Sequence, residues 1–180
     1  MTPMDTHEMA LPRPLPWSAA ATAEDWDALY AGQLSRVYNF FRYRVGAGPE
    51  AEDLTSITFE KAWRARDRYR SDLAAFSTWL FTIARHVAVD HLRRTREHVP
   101  LEHAAGLASG ESADALAEHR SDVDRLAGLL AGLPEREREL LALKYGAGLT
   151  NRAIARLTGL GESNVGTILH RTVQQLRADW

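Results

Sequence analysis

The sequence predicts an all-α protein, two small helical domains joined by a flexible acidic linker, with a helix-turn-helix in the C-terminal domain. Three observations carry this. Apolar residues recur at spacings of three and four, and no stretch alternates as a strand would. A low-complexity stretch rich in Ala, Gly, Ser and acids, "EHVPLEHAAGLASGESADALAEHRS", divides the chain. The segment "LTNRAIARLTGLGESNVGTILHRTVQQLR", Leu149 to Arg177, is two helical patterns separated by a glycine turn.

The chain has 180 residues, 45% hydrophobic, enough for one medium domain or two small ones. Residues 1–23 read as a flexible tail, with Pro12, Pro14 and Pro16 opposing a helix and neither a basic start nor a long apolar stretch to make a leader. The first helix starts at a capping box of Thr22 and Asp25, turns Tyr30, Leu34, Val37, Phe41 and Val45 inward, and ends near Gly46 and Gly48. Pro49 suits a first helical position, and Glu50, Glu52 and Asp53 place negative charge at the positive end of the helix dipole, so a second helix runs to about Asp67. Within it Leu54 and Ala62 share one arc while Phe59 and Trp63 lie about 100° further round. Two apolar directions fit a docked partner or a central place in a bundle, and the residues leave both open.

A third helix carries Phe76, Leu80, Ile83, Val87 and His91 on its core side and Thr82, Arg85, His86, Arg93 and Arg96 on a cationic one. Residues 97–121 are the linker, about 25 residues that reach about 80 Å when extended, against about 70 Å for two turns of duplex DNA. After it come a short helix with Val123, Leu126, Leu129 and Leu130, another opened by "EREREL", and the helix-turn-helix capped by Thr150. In its last helix Val165, Ile168, Leu169, Val173 and Leu176 point inward. Ser163, Asn164, Thr167, Arg171 and Gln174 point outward with His170 beside them, residue types that reach base edges and phosphates in a major groove. A polar solvated face on an ordinary helical hairpin has the same composition.

The net charge of −2 hides a block structure. Residues 24–60 hold three Arg against seven acids, and residues 61–96 nine Lys or Arg against three acids. Residues 97–143 hold four basic against ten acidic side chains, and residues 144–180 five against two. Two basic segments flanking an acidic one suggest two anion-facing surfaces, although helical proteins carry charged faces in any case. With no cysteine, disulfides, thiolate metal sites and cysteine nucleophiles are excluded, and a cytoplasmic setting fits. No window approaches 18 consecutive apolar residues, so no membrane insertion is expected. His86 and His91, and His98 and His103, are five apart and fall on different sides of a helix, which argues against a metal. No phosphate loop and no catalytic elbow occurs. Neither an enzyme nor a cofactor is therefore expected.

"AEDLTSITFEKAWRARDRYR" followed by "FSTWLFTIARHVAVDHLRR" closely resembles the first conserved domain of bacterial RNA polymerase sigma factors of the extracytoplasmic function (ECF) type. "LPERERELLALKYGAGLTNRAIARLTGLGESNVGTILHR" resembles their second domain, in the right order and at the right separation. The likeness covers about Asp25 to Arg177 and assigns residues 24–96 to an N-terminal and 122–180 to a C-terminal sigma domain. It implies a promoter-specificity subunit whose partners are core RNA polymerase and promoter DNA, with an anti-sigma protein as a further partner that it allows.

The resemblance implies that the second helix docks on core polymerase through Asp53, Leu54, Phe59, Ala62 and Trp63. It implies that Arg66, Arg68, Tyr69 and Arg70, with Arg85, His86 and Arg93 of the third helix, meet the melted strand at the minus-ten element. Ser163, Asn164, Thr167, His170, Arg171 and Gln174 then read duplex at the minus-thirty-five element. Tyr69 is the candidate stacking ring, Phe76 and Trp79 are core, and Asp90 orients a neighbouring Arg. His86 stands where the family commonly has Asn, Ser56 and Ile57 where it often has Gln and Glu, and Gly166 and Ile168 where Lys and Arg are frequent. The rival reading is a helix-turn-helix regulator or adaptor that never opens DNA.

Overall fold

The computed structural model describes the backbone of residues 23–98 and 114–180, and the side chains of 26–95 and 122–180. The tail, the cap at Thr22 and linker residues 99–113 lie outside them. Helix α1 spans Ala23–Val45 and buries Trp26, Val37, Phe40, Phe41 and Arg44. Tyr30 and Leu34, expected inward, are 39% and 37% exposed, because they lie on the N-terminal part of α1, where most side chains are exposed, although the Tyr30 ring lies 4.5 Å from the Phe59 ring. The helix stops at Gly46 and Gly48, whose φ of 96° and 125° lie where a side chain would be strained.

Helix α2, Pro49–Arg64, starts at its proline with Glu50 and Glu52 in the first turn and lies between α1 and α3 (Phe76–His98). It buries Ala51, Leu54, Thr55, Thr58, Phe59 and Ala62. The Thr55 and Thr58 hydroxyls donate to the carbonyls of Ala51 and Leu54 at 2.7 and 2.8 Å, which lets polar side chains sit in an apolar layer. The helix ends three residues before the expected Asp67, and a 3₁₀ turn, Arg66–Arg68, begins the loop to α3.

Helix occupies both ends of the expected linker: α3 runs to His98, and α4, Asp114–Ala131, begins in "DALAEHR", a stretch rich in strong helix formers. Helix α5, Glu135–Leu141, does not end in a turn but widens into a π-helical turn, Ala142–Gly146, where the Ala147 amide donates to the Ala142 carbonyl five residues back at 2.8 Å. Helices α6, Asn151–Thr158, and α7, Glu162–Asp179, complete the chain.

The two halves pack directly on each other, with α1 lying along the π turn, and their apolar residues form one continuous core. Gly146 permits this: a Cβ there would stand 2.8 Å from the Asn39 carbonyl oxygen and 3.0 Å from the Phe40 Cα. Beside it the Arg36 guanidinium donates to the Ala147 carbonyl at 2.7 Å.

Candidate nucleic-acid interface

The helix-turn-helix is built by three local devices. The Thr150 hydroxyl accepts the Ala153 amide at 3.2 Å and caps α6, Gly159 closes that helix at φ 74°, and α7 buries Val165, Leu169 and Thr172 against the core. All six side chains expected on the outer face, Ser163, Asn164, Thr167, His170, Arg171 and Gln174, are exposed. The Thr167 hydroxyl donates to the Ser163 carbonyl at 3.0 Å, which leaves its lone pairs outward. Gly166 faces α6, where a Cβ would lie 3.4 Å from the Asn151 amide nitrogen, in ordinary contact with it. Sequence reading overlooked Arg152. It is exposed, lies at the start of α6, and pairs with Glu162 at 3.5 Å, which puts its charge beside the N-terminus of α7. Its place two residues after the capping Thr150 is the signal that marks it.

The loop between α2 and α3 divides its arginines. Arg66 lies with its guanidinium 4.1 Å from the Trp63 ring centre and donates to the Trp63 carbonyl at 2.9 Å. Arg70 grips Asp72 through two bonds of 2.9 and 2.7 Å, and the bonded guanidinium holds the Asp72 carboxyl below the usual carboxylate range. Arg68 is exposed. Tyr69 is half-buried, its ring 5.2 Å from Trp79 and 5.5 Å from Phe76. Its hydroxyl donates to the Ala74 carbonyl at 3.2 Å, and burial raises its pKa above that of a free tyrosine. Tyr69 therefore ties the loop shut as well as offering an aromatic face. Trp79 and Phe76 are likewise half-buried rather than core, and Phe76 continues to Trp26, which touches Trp63.

On α3, Thr82, His86 and Arg93 are exposed as expected, and Asp90 meets Lys61 of α2 at 4.0 Å. Arg85 does not join the open face. Its guanidinium bonds Glu139 of α5 at 2.9 and 3.4 Å and also donates to the Leu157 carbonyl, because the C-terminal half closes over this part of α3. The docking set is corrected as well. Leu54, Phe59 and Ala62 are 5%, 5% and 0% exposed, buried in the chain's own core because α2 is flanked on two sides, and cannot touch a partner. Asp53 and Trp63 are exposed, and Ile57 at 39% joins them on the outer face. Among the described residues no group of three or more acidic or histidine side chains is placed to hold a metal, and no helix is long and apolar enough to cross a membrane.

The two halves match two family models in order, sigma-70 region 2 over residues 29–98 and sigma-70 region 4 over residues 124–176. The chain is 31% identical over 143 residues to the ECF RNA polymerase sigma factor SigC of Mycobacterium tuberculosis, covering 79% of itself and 76% of that protein. The chain belongs to the ECF sigma factors. Among other members of this family, it is 31% identical over 166 residues to BldN of Streptomyces coelicolor, covering 87% of itself and 61% of that longer protein. It is 27% identical over 153 residues to SigM of Bacillus subtilis, covering 84% and 93%. The fold is that of solved sigma factors. The chain superimposes with a TM-score of 0.68 and 22% identity on RpoE of Bartonella quintana, solved with the anti-sigma factor NepR, covering 87% of itself and 96% of that chain. On CnrH, solved with the cytosolic domain of CnrY, the TM-score is 0.67 at 22% identity, covering 90% and 92%.

Proposed function

We propose that this ECF sigma factor binds core RNA polymerase and directs transcription initiation by recognising two promoter elements, acting in the cytoplasm without a cofactor and without chemistry of its own. The observation that carries the reading is the bare outer face of α7, six polar side chains presented together on a capped helix-turn-helix. Short hydroxyls and an amide at the N-terminal end of a helix suit base edges, while Arg171, two turns along, suits a phosphate. Arg152 adds a second phosphate-reaching cation at the same end.

The N-terminal half, residues 24–96, takes the melted strand. Arg68 supplies charge, and the Tyr69 ring, already braced by Trp79 and Phe76, offers its remaining face to an unstacked base. Core polymerase docks on the outward side of α2, through Asp53, Ile57 and Trp63 with Arg66 laid over the indole. RpoE of Bartonella quintana, solved with the anti-sigma factor NepR, supports a protein of that class as a further partner. Run-off transcription from mapped start sites with core polymerase tests the whole reading. Specific initiation that requires both proteins is the expected result. Promoter binding that is equally tight with and without core and never opens DNA would instead make the chain a duplex-binding regulator.

A further inference from the structure

Three arginines of the N-terminal half end on the C-terminal half: Arg36 on the Ala147 carbonyl, Arg44 on Glu135, and Arg85 on Glu139 and the Leu157 carbonyl. Two of these acceptors are carboxylates four residues apart on α5, the helix that opens with "ERERE". The Arg85–Glu139 pair is largely withdrawn from water, with side-chain exposures of 23% and 15% and both carboxylate oxygens engaged. Carboxylate and phosphate meet a guanidinium in the same forked geometry, so Glu139 offers Arg85 what a nucleic-acid backbone would offer. The rest of that face of α3, His86 and Arg93, stays open.

Size adds a second constraint. A compact chain of this length has a radius of gyration of about 16 Å, and two turns of duplex occupy about 70 Å. A protein that contacts elements that far apart has to part its halves, and parting them releases Arg85. We infer that α5 is a built-in competitor for the strand-binding face. In the closed form Glu139 stands in for phosphate on Arg85, and single-stranded DNA and Glu139 exclude each other there. The inference rests on the proposed strand-binding role of the N-terminal half and names the group that holds it in check.

The absence of native cysteine makes the test direct, since Ser56→Cys and Gln175→Cys, both at exposed positions, give a unique dye pair across the two halves of the full chain. In that background Glu139→Gln keeps the shape of the side chain and removes its charge, while Arg85→Ala removes the shared cation. Both variants are expected to lower transfer efficiency as the halves part. With a labelled mixed-sequence single strand of about 20 nucleotides as probe, Glu139→Gln is expected to bind about three- to tenfold more tightly, and Arg85→Ala more weakly than the parent. The double variant is expected to match Arg85→Ala alone. Unchanged transfer efficiency in both variants overturns the latch and leaves the promoter reading standing. Parted halves with unchanged strand binding in both variants overturn the competition together with the placement of Arg85 on the strand path.

Discussion

Gly146→Ala places a methyl group 2.8 Å from the Asn39 carbonyl oxygen, 2.9 Å from its carbon and 3.0 Å from the Phe40 Cα. All three are main-chain atoms in the middle of α1, so no rotamer change relieves the clash. Ordinary contact begins at 3.4 Å, so α1 and the π turn must separate by roughly half an ångström along their shared core. Overpacking of this kind costs about 1–3 kcal/mol. For a chain of this size each kcal/mol lowers Tm by about 2–4 °C. Urea unfolding followed by helical circular dichroism measures it, with Gly32→Ala as the control. Gly32 lies in the same α1 with nothing within 4 Å of an added Cβ, so alanine there raises stability by about 0.5–1 kcal/mol. A Gly146→Ala protein within about 0.5 kcal/mol of the parent, the range of an ordinary surface substitution, would refute the direct seating of the C-terminal half on α1.

Arg171→Ala is expected to weaken holoenzyme binding to all promoter sequences alike and to lower the salt slope by about one unit; a preference relaxed at a single base position would show a base contact instead. Thr150→Ala removes the cap of α6 and is expected to cost about 0.5–2 kcal/mol in denaturant unfolding, with Thr150→Ser close to the parent; equal losses in both would place the effect outside the cap. The Tyr69 phenol binds its proton more tightly folded than unfolded, so its contribution is complete below the ordinary tyrosine range and is lost as pH rises through the raised folded value. Phenolate absorbance of the parent minus Tyr69→Phe is expected to show ionisation above the range of free tyrosine, and a difference curve inside that range contradicts the half-buried, bonded hydroxyl.

Local chemistry made much of this legible in advance. Pro49 with Glu50 and Glu52 announced the start of α2, Thr150 and Gly159 announced both ends of α6, and the six outward residues of α7 followed from a helical count of one hundred degrees per residue. What escaped was set by tertiary contact. The run Leu140, Leu141, Leu143 reads as a helix continuing, and only the seating on α1 reveals why it opens into a π turn with Gly146 at its end. Leu54, Phe59 and Ala62 were ambiguous because a helix apolar in two directions suits a partner and a core equally, and α3 on the far side decides for the core. Arg85 looked like its neighbours on the cationic face, because its partner Glu139 is 54 residues away in sequence.

All three arginine bridges between the halves reach main-chain carbonyls, those of Ala147, Leu157 and Glu135. A carbonyl is present whatever side chain the residue carries, so the bonds to Ala147 and Leu157 are indifferent to drift at those positions. Beyond the apolar face it turns toward α1, the closed form asks few identities of the C-terminal half: a glycine where 146 stands and carboxylates at 135 and 139. Helix α7 takes no part in those bridges. A foreign C-terminal half that keeps these three residues and its apolar face toward α1 can therefore be grafted onto this N-terminal half and still close on it, whatever side chains the outer face of its last helix carries.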